Sequence, residues 1–248
     1  MSKPSDGAVT RRSQATRTRL ISVAEALFAS RSIENVSLNE VSKAAGQKNS
    51  SACQYHFGDK QGLLQVILDR HVAGITAARE VLLNRLEESE SPPGLRSLVN
   101  AFVQPIAAKL DDADGGRAFI RINAQLIALH TMSVHGTPAS PLRLARSDRF
   151  VQALRQALRS TYLPETVARQ RLLLAAVLVF HGLDDHVRML ETGSADRLES
   201  NTRLFIANLE DSITALLSAP ISDATRELCI SLEAEGDIVL PPSSTGPA

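Results

Sequence analysis

SLNEVSKAAGQKNSSACQYHFGDKQGLL, residues 37–64, is the most informative segment of the chain. Residues 38–45 have the apolar and polar spacing of a short amphipathic helix. Gly46 predicts a left-handed stop and a tight turn after that helix. A second short helix, over about residues 50–57, is polar on one side. Two short helices joined by a tight turn predict a helix-turn-helix, whose second helix enters the DNA major groove.

The flanking segments predict two further helices. Ser37 and Glu40 have the spacing of a capping box, which marks the start of the first short helix. Upstream, a helix from Thr16 to about Arg31 has one apolar face, made by Leu20, Val23, Ala24, Leu27 and Phe28. Downstream, a long helix over about 59–88 has a buried stripe made by Leu64, Leu68, His71, Ile75, Ala78 and Leu82.

The rest of the chain is also helical in pattern. Helices are predicted over about 95–110, 116–130, 140–160, 165–190 and 196–218, separated by Gly and Pro breaks. The expected fold is all-α, with a three-helix head joined by a long helix to a C-terminal helical bundle, about nine helices in total. We expect a disordered arm (1–15), a helix-turn-helix domain (16–62), a ligand-binding and dimerisation domain (63–219) and a mostly disordered tail (220–248).

Charge is distributed unevenly along this chain of 248 residues, although its net charge is zero. Residues 1–60 hold nine Lys/Arg and five Asp/Glu, a net +4, so the remainder is −4. A basic end on an acidic body is expected of a nucleic-acid-binding protein, although an uneven solvated surface also fits. Two cysteines form neither a disulfide framework nor a zinc pattern. The apolar run over 172–180 is too short to span a bilayer, so we expect a cytoplasmic protein without a membrane partner.

Polar side chains suited to DNA surround the second short helix. Asn and Gln pair with adenine and Ser with several base edges, whereas basic and phenolic groups suit phosphate oxygens. The predicted DNA-binding residues are Arg17, Thr18, Ser37, Gln47, Lys48, Asn49, Ser50, Ser51, Gln54, Tyr55, His56 and Lys60. The alternative is a solvated polar face on a short helix.

The segment from about Thr18 to Leu68 resembles the N-terminal domain of TetR-type transcriptional regulators. The resemblance is carried by AEALFAS at 24–30, the helix at 37–45, Ala45-Gly46, Tyr55-His56-Phe57, Lys60 and Leu63-Leu64. It implies that the helix ending in Tyr-His-Phe reads the major groove, that the Tyr, His and Lys engage phosphates, and that the protein is a dimer. The turn is longer than in most members, and Cys53 and Gln54 stand where an aliphatic residue and a tyrosine are usual. The register of base contacts is therefore open by about one position.

In this family the C-terminal helices form a ligand pocket and a dimer interface. Predicted pocket residues are Phe102, Phe119, Ile122, Leu126, Leu154 and Phe180, each of which also fits an ordinary core. Their aliphatic surroundings favour an acyl or lipid-like effector, with Arg117 and Arg121 available to an anionic head group. The all-round apolar run 172–180 and the helix after Asp196 predict a four-helix bundle across a two-fold axis. A buried helix in a monomer core is the alternative.

These observations predict a dimeric, ligand-responsive regulator that is a repressor by family habit and leaves a palindromic operator when an effector binds. The sequence contains no nucleophile elbow, Walker loop, dinucleotide fingerprint or HExxH pattern. We therefore assign no catalytic residue, cofactor or metal, although His181, Asp184 and Asp185 have spacing that permits a metal site. An all-helical enzyme or an adaptor with a head that does not bind DNA is the rival hypothesis. Cys53 is read as a buried hydrophobe, with a redox switch as the alternative.

Overall fold

The computed structural model describes residues 6–89, 92–130, 148–159, 161, 163–193, 196 and 198–236. Within these ranges the chain forms ten α-helices, one short 3-10 helix at Ala108–Leu110 and no strand, which confirms the all-α prediction there. The helices are α1 (Asp6–Ser30), α2 (Leu38–Ala44), α3 (Ala52–Phe57), α4 (Lys60–Ser89), α5 (Leu95–Ala107), α6 (Gly116–His130), α7 (Asp148–Arg159), α8 (Glu165–Thr192), α9 (Thr202–Ser218) and α10 (Asp223–Gly236).

Helices α1 to α3 and the first turns of α4 form a small head with its own core. Each helix contributes a fully buried apolar side chain to it: Phe28 from α1, Val41 from α2, Cys53 from α3 and Leu63 from α4. Burying a side chain of the size of Phe or Leu stabilises a fold by roughly 1.5–3 kcal/mol. The two short helices are therefore held by burial against α1 and α4, since helices of seven and six residues are not stable alone.

The body is built on α4, whose 30 residues run from the head into it. Helix α5 packs on α4, α6 packs on α8, and α9 packs on both α5 and α8. The rings of Phe119 on α6 and Phe180 on α8 meet edge to face, with centroids 6.3 Å apart. One continuous apolar core joins head and body, so the two parts are close-packed against each other.

A buried polar cluster also ties the head to the body. Glu25 on α1 is only 3% exposed, and its carboxylate lies 3.0 Å from Arg70 Nη1 and 2.6 Å from His71 Nε2, both on α4. Arg70 also pairs with Asp114 in the loop before α6. One carboxylate of the head therefore contacts the connecting helix, and through Arg70 it is linked to a loop of the body.

Helix α1 begins ten residues earlier than predicted. The sequence predicts an arm over 1–15 and a helix from Thr16, but α1 starts at Asp6; residues 1–5 lie outside the described ranges. Ser13, Gln14 and Ala15 are exposed. The sequence of residues 6–15, DGAVTRRSQA, has no apolar stripe, so hydrophobic periodicity cannot detect a helix there.

The C-terminal segment also differs from prediction. Helix α10 occupies residues that we assigned to a disordered tail, and its Leu228, Ile230 and Leu232 are 63%, 61% and 65% exposed. Residues 237–248 lie outside the described ranges. Helix α7 is observed over 148–159 within the predicted 140–160, and residues 140–147 and 160 are likewise not described.

Helix α8 is long and apolar enough to cross a membrane by length and composition alone. The same test accepts α9 and α10 taken together as a bent pair. Core helices of soluble proteins also pass it, and α8 buries Val179, Phe180 and Leu183 completely against its neighbours. The uninterrupted apolar run at 172–180 is too short to span a bilayer. The longer stretch of α8 qualifies because few charged residues interrupt it.

Candidate nucleic-acid interface

The capping box at the start of α2 forms as predicted. The Ser37 hydroxyl accepts the Glu40 N–H at 3.2 Å, and the Ser37 N–H donates to Glu40 Oε2 at 2.9 Å. The hydrogen bond from the Ser37 backbone, followed by that from its side chain, holds the pKa of the Glu40 carboxyl below its ordinary value. These bonds fix where α2 begins and leave Ser37 exposed at the edge of the head.

The turn between α2 and α3 is fixed by a left-handed glycine and a buried serine. Gly46 has φ +70°, and its N–H donates to the Lys43 carbonyl at 3.0 Å. The fully buried Ser42 hydroxyl donates to the Leu38 carbonyl at 3.0 Å and accepts the Cys53 N–H at 3.0 Å. Sequence reasoning missed this role of Ser42. The available signal was the position of Ser42 four residues after Leu38, on the same helical face, because a buried hydroxyl needs hydrogen-bond partners.

The second short helix starts later than predicted, at Ala52. The Asn49 side chain accepts the Ser51 N–H at 3.0 Å, a local bond that favours a turn over a helix at these residues. Lys48, Asn49, Ser50 and Ser51 are therefore exposed on the turn that leads into α3. These four residues therefore precede α3 in the turn and are not part of the helix.

Along α3, the solvent-facing side is polar and aromatic. Gln54 is exposed, and Tyr55 is 84% exposed. His56 and Phe57 are half-buried, and the Tyr55 and His56 rings meet edge to face at 5.2 Å. A tyrosine with this exposure is suited to contact a binding partner, because an aromatic ring buries a large area when a partner covers it.

Arg17, in the middle of α1, lies against this helix. The Arg17 guanidinium is 5.2 Å from the centroid of the Phe57 ring, so it stands at the C-terminal end of α3. Thr18 beside it is exposed. The structure thus places Arg17, one of the two predicted α1 residues, beside α3.

Lys60 and Gln47 have partners within the head itself. The Lys60 ammonium donates to the carbonyls of Ile33 at 3.0 Å and Glu34 at 3.2 Å, which are in the loop between α1 and α2. The Gln47 side chain donates to the Ala45 carbonyl at 3.3 Å. Lys60 therefore has a structural bond in addition to the phosphate contact predicted for it.

The predicted pocket residues fall into two groups in the body. Phe119, Ile122, Leu126 and Phe180 are buried in the main core. Phe102 and Leu154 are half-buried and also border a smaller cluster made by Leu83, Leu98, Ala101 and Phe150. The Phe102 and Phe150 rings stack with centroids 6.1 Å apart.

Three surface clefts stand out in the described part of the body, and none is lined by the six predicted residues. One of about 670 Å³ separates the end of α1 from α6 and α8. A second of about 410 Å³ surrounds the loop before α6, and a third of about 340 Å³ lies between α8 and α9. Two arginines that line these clefts already have partners within the chain. Arg121 donates to Asp184 at 2.9 Å and to Glu191 at 3.1 Å, and Arg117 donates to the Leu110 carbonyl at 3.0 Å.

His181, Asp184 and Asp185, whose sequence spacing permits a metal site, do not form one in the structure. Asp184 is buried and forms ion pairs with Arg121 and Arg188. The His186 ring stacks on Phe205 at 4.3 Å, and burial lowers the pKa of His186. Among the described residues, no cluster of His, Cys, Asp and Glu is arranged to hold a metal ion.

Comparison with known proteins places the head in a family. Residues 20–67 match the family model of bacterial regulatory proteins, tetR family. No curated protein sequence matches the chain. Among solved structures, the chain is similar to the crystal structure of a gamma-butyrolactone receptor (ArpA-like protein), with 21% identity, a TM-score of 0.47, and coverage of 81% of this chain and 98% of that one. Together with the helix-turn-helix geometry described above, the match shows that residues 20–67 are similar to the N-terminal, helix-turn-helix part of bacterial regulatory proteins of the tetR family.

Proposed function

We propose that the protein is a dimeric repressor that leaves a palindromic operator when an aliphatic effector binds its body. The observation that carries the proposal is the exposed polar face of α3 and its preceding turn, flanked by Arg17 and Lys48. Base-edge contacts from this face supply sequence choice, and the flanking cations supply affinity through phosphates. In this proposal, residues 16–62 bind DNA in the cytoplasm and 63–219 bind the effector and the second subunit.

An exposed apolar stripe on α8 supports a dimer. Leu174 and Leu178, four residues apart on one face, are 51% and 40% exposed, and Leu204 on the neighbouring α9 is 54% exposed. Only 33% of the most apolar window of α8 is buried within one chain. A second copy related by a two-fold axis would cover this surface with the same stripe, forming a four-helix bundle.

The proposed effector site lies beside Phe102 and Leu154. Both residues are half-buried, and they pack against apolar side chains of α4. A ligand inserted there would displace α4, which leads directly into the head. A coupling of roughly 1–3 kcal/mol would change DNA affinity about 5- to 150-fold.

The experiment measures binding of the purified chain to the DNA upstream of its own coding region across a salt series. A regulator gives a steep salt slope and prefers one palindrome to unrelated DNA. Neither is expected of an enzyme or an adaptor.

Sedimentation measures the oligomeric state of the purified chain. Leu178→Glu on the exposed stripe should yield monomers, and the exposed Arg155→Glu on α7 is the control that should leave the dimer intact. Titrating medium-chain and long-chain fatty acids or their thioesters into the complex tests the effector class; operator affinity that never changes would overturn it.

A further inference from the structure

Three cations surround the turn between α2 and α3. The Arg19 guanidinium lies 3.6 Å from the position that a β-carbon on Gly46 would occupy. Lys43 is in the last turn of α2, and its carbonyl accepts the Gly46 N–H. Lys48 follows two residues after the glycine. We name Arg19, Lys43 and Lys48 the turn cluster; of the three, sequence reasoning selected only Lys48.

The turn cluster is exposed and carries no ion pair to any residue that the structure describes. Other cations of the chain differ in this respect: Arg31 pairs with Glu40, and Arg149 pairs with both Glu80 and Glu87. Three unpaired positive charges on adjacent surface repel one another, so this arrangement is stabilised when an anion binds.

The position of the turn cluster relative to α3 indicates which anion. Residues two apart on a helix point about 200° from each other, so Arg17 and Arg19 leave α1 on opposite sides. Arg17 reaches the C-terminal end of α3 at Phe57, and Arg19 reaches the turn before its N-terminal end. Cations therefore stand at both ends of α3, the helix that the proposed function places in the major groove. The two phosphate backbones border that groove.

We propose that Arg19 and Lys43, together with Lys48, bind DNA phosphates at the N-terminal end of α3. The turn cluster and Arg17 then hold each head to the two strands on either side of one major groove. Contacts of this kind fix orientation and affinity without reading sequence. The proposal rests on DNA binding by the head and adds two residues to it.

The test compares the full-length double variant Arg19→Gln/Lys43→Gln with Arg155→Gln/Arg159→Gln, which removes the same charge from exposed positions on α7. Binding is measured against salt on the operator fragment and on unrelated DNA. The slope of log K against log salt should fall by about 2 per head in the first variant and stay unchanged in the second. Affinity should fall by the same factor on both DNAs, so the ratio between them persists.

The charge-conserving variant Arg19→Lys/Lys43→Arg separates phosphate binding from a structural role. It should keep the salt slope of the unmodified chain, and circular dichroism should show all variants equally helical. If the unmodified chain has a steep slope and the Gln variant retains it, the turn cluster does not bind DNA, while the proposed function stands. If affinity falls on the operator alone while the slope stays unchanged, the cluster binds base edges and the phosphate assignment is overturned. A flat slope for the unmodified chain removes both proposals.

Discussion

Arg79 Nε donates a hydrogen bond of 3.1 Å to the carbonyl oxygen of Ala101, twenty-two residues away on α5. In a regular helix that carbonyl would accept the N–H four residues later, but the residue there is Pro105, which has none. Arg79 is 3% exposed, and its guanidinium lies 5.6 Å from the ring centroid of Phe102 and 4.9 Å from that of Phe150. A side chain of the helix that joins head to body thus replaces the bond that proline removes.

Replacing Arg79 with Met should destabilise the fold by about 1–3 kcal/mol, because a buried carbonyl loses its donor. Burial lowers the pKa of Arg79 to about 10, so the guanidinium stays charged near neutral pH and its bond is charge-assisted. In a Pro105→Ala background the new N–H can serve Ala101, and the same substitution should cost less. Denaturant unfolding of the four proteins measures this coupling; strictly additive losses would show that Arg79 does not serve the proline gap.

The loop before α6 should not tolerate a side chain at Gly115. This residue has φ +86°, and a β-carbon there would lie 2.6 Å from the carboxylate carbon of Glu25. Gly193 is the matched control, because it has φ +62° with nothing near its β-carbon position. We expect Gly193→Ala to cost about 1–2 kcal/mol from the left-handed backbone alone. Gly115→Ala should cost clearly more in the same unfolding experiment, and equal losses would mean that Glu25 moves away freely.

The sequence identified the head well because its signals are local. The capping box of Ser37 and Glu40, the stop at Gly46 and the break at Gly58 each involve residues within a few positions of one another. Helices α2 and α4 accordingly begin within a residue of prediction. The extra turns of α1 could not be found this way, because residues 6–15 have no apolar period in the sequence. Helix α10 could not be found because its apolar side chains are exposed and form no buried stripe.

Contacts between residues far apart in the sequence could not be predicted, for a different reason. Arg79 with Ala101 and Glu25 with His71 depend on how helices cross, and no spacing in one sequence encodes that crossing. The Asn49 bond that delays α3 is local, but in the sequence an asparagine near a turn fits base contact and backbone capping equally well. The same ambiguity holds for Lys60, whose ammonium bonds to the loop before α2.

The Cys53 thiol should react slowly with alkylating reagents. It is fully buried in the head, and burial raises the pKa of its thiol to about 11, so little thiolate exists at pH 8. Cys229 on α10 is half-buried and serves as an internal comparison. Iodoacetamide followed by mass spectrometry should modify Cys229 first in the folded protein, and both thiols at similar rates in denaturant. Preferential modification of Cys53 would revive the redox-switch alternative.

The capping box should make the head sensitive to acid. The pKa of Glu40 is held below its ordinary 4.5, so the folded state favours the ionised carboxylate. Its contribution is complete above that value and is lost as pH falls through the lower folded pKa. Ser37→Ala should therefore remove part of the stability loss seen on acidification from about pH 5 to 3, and should cost roughly 1 kcal/mol at pH 7. Identical acid profiles for both proteins would contradict this.

Substitutions of Gln54 and Tyr55 should distinguish contacts to base edges from contacts to phosphates. Both are exposed on α3, and neither has the local backbone bond that complicates Asn49 and Lys60. Gln54→Ala should relax the choice of one base pair, by about 1–3 kcal/mol of discrimination, with a smaller change on unrelated DNA. Tyr55→Phe should weaken binding to all sequences alike, because only a phosphate hydrogen bond is lost. Binding to a set of operators, each changed at one base pair, measures both. If Gln54→Ala leaves every preference intact, base reading by this helix is assigned to the wrong residue, and the exposed serines of the turn become the candidates.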